Sequence, residues 1–115
     1  VDTLLPLLSL DELEALQRTV LDVHASDALL AYVQDLIAAT RSGRWFVQGL
    51  SPRAGIALVR AAKARALIEG RDYVAPDDVQ AVLPQTIAHR LVPVGDAGRG
   101  AVEQVRAMVD AVPLP

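Results

Sequence analysis

Apolar positions recur at helical spacing through most of this 115-residue chain. Leu10, Leu13, Leu16, Val20 and Leu21 form a first set. Ser9 precedes it and Glu12 follows three residues later, a pairing in which each side chain satisfies a free backbone donor at a helix start. A helix over 10–21 is predicted. Leu29, Leu30, Val33, Leu36 and Ile37 form a single stripe, predicting a helix over 27–41 with that stripe as its core face. Ser26-Asp27 opens it and Gly43 suits its end. Segment 44–50 has no helical period and reads as a short strand or an ordered loop.

The third helix, over 52–69, has the clearest start. Ser51 suits the N-cap, and Pro52 suits the first helical position, where a missing N–H costs nothing. Ile56, Val59, Ala62, Ala66 and Leu67 are its expected buried stripe, and its many alanines imply close approach to neighbouring helices. Gly70 ends it. A fourth helix over 76–91 begins at Pro76 with Asp77 and Asp78 in its first turn, favourable to the helix dipole, and should break at Pro84. Residues 92–100 read as loop. Val102, Val105, Val109 and Val112 place a last helix over 100–112, closed by Pro113 and Pro115. The expected fold is all-α, a small bundle of five to six short helices with room for one short β element.

Composition narrows the functions. The chain holds 19 Ala and 17 Leu but only four aromatic residues, a mixture that favours helix over sheet. With no cysteine, a disulfide scaffold, a cysteine-ligated zinc finger and a thiol nucleophile are excluded. Net charge of −3 does not point to nucleic acid. No run approaches the roughly 20 apolar residues that a membrane-spanning helix needs. The first residue is Val, and we expect a piece of a longer protein, with residues 1–8 as a linker and 9–115 as one helical domain.

Little catalytic chemistry stands out. Lys63 is the only lysine and no phosphate-cradling Gly-x-x-x-x-Gly-Lys-Ser/Thr loop surrounds it. The run from Gly95 to Gly100 lacks that Lys and hydroxyl and reads as an ordinary loop. His24-Ala25-Ser26-Asp27 contains triad residue types too near in sequence to form a triad, and His24 is expected to be partly buried at a helix start. His89 and Arg90 suit a helix C-terminus. No His-Glu-x-x-His spacing exists, and Asp72, Asp77 and Asp78 lack a calcium-loop pattern, so capping is their plain reading. The basic residues of the third helix are more informative. Arg53 and Arg60 lie seven apart, on one face and about two turns from each other, with Lys63 flanking. Arg53 also sits in the first turn, where backbone donors favour anions.

Three ordered runs carry a family resemblance: Gly49-Leu50-Ser51-Pro52-Arg53-Ala54, Leu58-Val59-Arg60-Ala61-Ala62-Lys63-Ala64, and Gly70-Arg71-Asp72-Tyr73-Val74-Ala75-Pro76-Asp77-Asp78-Val79. Ala88-His89-Arg90-Leu91 continues them, and the closing 109–115 agrees. Together they resemble the C-terminal lid of MoxR-family AAA+ ATPases from about Ser9 onward. The resemblance implies a helical lid behind a larger nucleotide-binding domain that would precede Val1. It implies that Arg53, the arginine of the Ser-Pro-Arg motif, is the second sensor, contacting the γ-phosphate of ATP. It implies ATP and Mg in the parent protein, a hexameric ring, a cytoplasmic chaperone-like role and partners with von Willebrand factor A-type domains. Nucleic acid and membrane insertion are not expected. The chain lacks the Walker A and Walker B residues and, read alone, is no ATPase. Two other readings stand beside this one: the lid of a magnesium-chelatase-type AAA+ subunit, and a stand-alone helical protein-interaction module.

Overall fold

A computed structural model of the chain describes residues 9–87, 91, 92, 94 and 100–115. Among them are five helices: α1 (Leu10–Leu21), α2 (Asp27–Thr40), α3 (Ala54–Ile68), α4 (Pro76–Ile87) and α5 (Ala101–Ala111). The fold is all-α, as the apolar periodicity predicts. The expected linker over 1–8, His89 with Arg90, and most of the glycine loop lie outside the described residues.

Local chemistry sets the boundaries. The Ser9 and Ser26 hydroxyls accept the Glu12 and Leu29 N–H groups, each at 3.1 Å, and so cap α1 and α2. Gly70 follows α3 at φ +81°, a left-handed backbone that side chains resist. Its N–H donates to Leu67 O at 3.0 Å and the Arg71 N–H to Ala66 O at 2.9 Å, the paired bonds of a Schellman stop.

α4 does not break at Pro84; it runs on to Ile87. An internal proline costs about 3 kcal/mol. Leu83 and Ile87, on either side of it, are 0% and 1% exposed. Burying two such side chains contributes about 1.5–3 kcal/mol each, enough to offset a cost of that size. α3 starts two residues later than expected. Ala54, Gly55 and Ile56 donate to the carbonyls of Ser51, Pro52 and Arg53 at 3.0, 3.1 and 3.1 Å, so a tight i→i−3 turn precedes the helix.

The core lies between α2, α3, α4 and α5. Tyr32, Leu36, Leu58, Leu83, Val105 and Met108 are fully buried within it, with Phe46 inserted from the loop after α2. α3 packs most extensively on α4 and also touches α1 and α2. Its buried stripe is Ala54, Leu58, Ala62 and Ala66, and the small side chains permit that close packing. The expected stripe was displaced by two residues at its start: Ile56 is exposed, whereas Leu58 is buried. Leu30 of α2 likewise faces outward, while Tyr32 and Thr40 join the buried face.

No strand forms among the described residues, but two extended contacts do. His24 and Tyr73 make an isolated parallel bridge, with His24 N donating to Asp72 O and Val74 N to His24 O, both at 2.8 Å. Segment 44–50 is an ordered loop. Val47 N donates to Val92 O at 2.8 Å and Val94 N to Trp45 O at 3.0 Å, while Gln104 of α5 also donates to Trp45 O at 3.0 Å.

Candidate functional site

The basic face of α3 begins at Arg53. The chain arrives there under several constraints. Gly49 lies so close to the end of α2 that an added Cβ would collide with Arg41 Cγ and sit 2.5 Å from Thr40 O. Leu50 follows, buried, with its N–H donating to Thr40 Oγ1 at 3.1 Å. Pro52 then restricts φ in the tight turn, and Ala54 is buried on the far side. Between these anchors the Arg53 side chain projects into solvent.

Arg53 and Arg60 line one open groove of about 550 Å³ with Ser51, Ile56 and Ala57. The sequence expectation that both arginines share a face is met. The backbone around them differs from expectation, because the N–H groups of Ala54, Gly55 and Ile56 are engaged in the i→i−3 turn. An anion here would meet guanidinium groups rather than a crown of free helix donors. A guanidinium offers a planar fork of donors that matches phosphate oxygens.

Lys63 has a different neighbourhood. Its Nζ donates to Leu21 O at 3.0 Å, satisfying a carbonyl at the C-terminus of α1. It lines a second groove, of about 360 Å³, whose walls include Leu21, Leu30, Val33, Ile56 and Val59.

The acidic cluster divides. Asp78 is fully buried and accepts from Arg71 Nη1 and Nη2 at 2.7 and 2.6 Å, from Arg65 Nη1 at 2.7 Å and from Ala75 N at 2.8 Å. The capping expected of this aspartate is present in the Ala75 bond, but its two arginine partners were not anticipated. The Arg71 hydrogen bonds, more than offsetting burial, hold the Asp78 carboxyl down at about 2, and the Ala75 N–H and Arg65 add to the effect. The same contact raises Arg71. The sequence marks only the two endpoints: Asp78 stands two residues after Pro76, and Arg71 directly follows the Gly70 helix stop. Nothing in the periodicity shows that those two points meet.

The remaining sequence candidates disperse. His24 is exposed rather than partly buried, since its backbone, not its ring, holds the bridge to the 72–74 segment. Ser26 caps α2, so its hydroxyl is tied to Leu29 N–H rather than to an imidazole. Among the described residues no three His, Asp or Glu side chains converge into a metal-binding group. No described helix is long and apolar enough to cross a membrane.

Comparison with known proteins places these features in a family. The AAA lid domain family matches residues 38–111, which include the Thr40–Leu50 contact, Arg53 and the Asp78 cluster. An uncharacterized Bacillus subtilis (strain 168) protein, YeaC, is 38% identical over 118 residues, covering 100% of this chain and 37% of its own length. Chaperone MoxR1 of Mycobacterium tuberculosis is 38% identical over 100 residues, covering 79% of this chain and 26% of its own. A crystal structure of a proposed ATPase from Cytophaga hutchinsonii superposes with a TM-score of 0.76 at 28% identity, over 85% of this chain and 33% of that one. The chain thus spans between about a quarter and two fifths of the proteins it matches.

Proposed function

The chain belongs to the AAA lid domain family, and we propose that it serves as the C-terminal helical lid of a MoxR-like AAA+ ATPase in which Arg53 senses the phosphates of ATP. The observation that carries this reading is the placement of Arg53: an exposed guanidinium on a backbone held on both sides. A cation that only solvates a helix face needs no such support.

Bound ATP would supply a hydrolysable phosphoanhydride and the charge that distinguishes it from ADP. Arg53 donates hydrogen bonds to phosphate oxygens, and Arg60, in the same groove, adds positive potential nearby. Mg ligands would come from the rest of the parent protein. Because Arg53 is rigidly joined to α3, gain or loss of its phosphate contact moves the lid as a body, which is how nucleotide state reaches domain position. The same reading carries residues 1–8 as the linker to a nucleotide-binding domain, and a cytoplasmic, ring-forming, chaperone-like parent with von Willebrand factor A-type partners. The relative named Chaperone MoxR1 supports the chaperone part.

The test compares Arg53→Ala with Arg60→Ala in the parent ATPase. A hydrogen bond to a charged group is worth about 1.5–3 kcal/mol, so Arg53→Ala should lower kcat/KM for ATP about ten- to a hundred-fold. The loss falls in kcat if the contact strengthens in the transition state and in KM if it does not. Arg60→Ala should do much less. The isolated chain, lacking a P-loop, should release no phosphate. Equal, small effects at both arginines would return Arg53 to the status of a solvated surface residue.

A further inference from the structure

We propose that Thr40 is the positioning residue for Arg53: its buried hydroxyl, at the last position of α2, fixes where the Ser51-Pro52-Arg53 turn leaves the bundle. This inference rests on the nucleotide-sensing reading of Arg53 and adds a second residue, on another helix, to it.

The geometry is specific. Thr40 is 0% exposed, and its Oγ1 donates to Ile37 O at 2.6 Å. A hydroxyl has one proton and two lone pairs. With the proton committed to Ile37, only acceptor capacity faces the neighbouring segment, and the Leu50 N–H donates into it at 3.1 Å. That bond joins positions ten apart in sequence, and Leu50 is three residues from Arg53. The glycine before Leu50 lets the backbones meet, because any Cβ at Gly49 would collide with the Thr40 carbonyl and the Arg41 backbone. Beyond the turn, Ala54 is buried against the bundle. The Arg53 Cα therefore has two fixed supports, one through Thr40 and one through α3, and only its side chain is free to seek a ligand.

The consequence is catalytic rather than merely structural, because a phosphate contact depends steeply on position. A misplacement of about 1 Å, caused by a substitution remote from the chemistry, can cost on the order of a hundred-fold in rate. Thr40→Val keeps the side-chain shape but removes both hydrogen bonds, leaving the buried Leu50 N–H without its partner. The turn can then satisfy that group only by moving toward water.

The experiment uses the full-length parent ATPase and steady-state kinetics with ATP. We expect Thr40→Val to lower kcat/KM roughly ten-fold, in the same parameter, kcat or KM, that Arg53→Ala changes. Thr40→Ser keeps both hydrogen bonds and should retain wild-type kinetics. The double variant Thr40→Val/Arg53→Ala should be no worse than Arg53→Ala alone, because a positioning residue has nothing left to position. Wild-type kinetics in Thr40→Val beside an impaired Arg53→Ala would overturn the inference and leave the sensor reading intact. Losses that multiply in the double variant would overturn it too, since they indicate a general weakening of the fold. If Arg53→Ala itself is silent, the sensor reading fails and this inference with it. Should Thr40→Val not fold, amide exchange in the wild-type protein decides: Leu50 must be protected like the interior of α2, and exchange at loop rates would refute the latch.

Discussion

Asp78 shows how much one side chain can hold together in a domain of this size. It ties the end of α3, through Arg65, to the loop after it, through Arg71, and to the start of α4, through Ala75 N. Its carboxyl titrates at about 2 in the folded chain, against 3.8 without these partners. A folded-state value below the unfolded one means that the charged form is stabilised by folding. The contribution, about 2 kcal/mol, is complete above about pH 5, well above the unfolded value, and is lost as pH falls from there through the folded value. We expect the denaturant midpoint of the wild-type chain to drop as pH falls over that interval. Asp78→Asn, with no carboxylate at this position to protonate, should start lower and lose less over the same range. A variant whose pH profile parallels the wild type would show that other carboxylates govern acid unfolding. Arg53 is the contrasting case: it is exposed, with no side-chain capping bond, so Arg53→Ala should leave the denaturant midpoint of the chain nearly unchanged.

The helices divide in the same way, between those that make the core and one that leans on it. Leu36 of α2 is 0% exposed, so Leu36→Ala should cost about 2–5 kcal/mol, the range for emptying a buried leucine site. Leu16 of α1 belongs to an equally regular stripe, yet it is 48% exposed and α1 has no buried residue. Leu16→Ala should be nearly neutral, and urea unfolding of the two variants side by side checks the pair. Periodicity reads both stripes alike because it reports that a face is apolar, not whether anything covers it. For the same reason the existence and order of all five helices could be read from spacing and caps, whereas Leu58, which lies between Ile56 and Val59 of the expected α3 stripe, could not. In that alanine-rich helix nearly every face offers a small apolar residue, and the packing of α4 selects among them. The candidate site was half visible. The shared face of Arg53 and Arg60 follows from their seven-residue spacing, and the proposed sensing role of Arg53 only from the family resemblance, but Thr40 reads as an ordinary helix end. Its contact with Leu50 is long-range, and no local pattern encodes it.

Taken together, the molecule is a four-helix core with α1 attached along α3. A helix of 12 residues has marginal stability alone in water, so α1 depends on that attachment. Two kinds of contact supply it: partial cover of its apolar side by α3, and the Lys63 ammonium on the Leu21 carbonyl at its C-terminus. A cation at a helix end contributes about 0.3–1 kcal/mol, which changes a local opening equilibrium by a factor of about two to five. The core elements gain nothing from it, since Lys63 touches α2 through no hydrogen bond and its own helix is held by Leu58, Ala62 and Ala66. Removing the lysine should therefore loosen one part of the molecule and leave the rest alone. In amide exchange, α1 should be the least protected helix of the wild-type chain, opening well below the free energy of global unfolding. Lys63→Met, which keeps most of the apolar stem, should raise exchange in α1 by about two- to five-fold while α2 and α4 stay unchanged. Equal acceleration in every helix would mean that α1 unfolds only with the core, and that the leaning helix is as integral to the domain as the four it rests on.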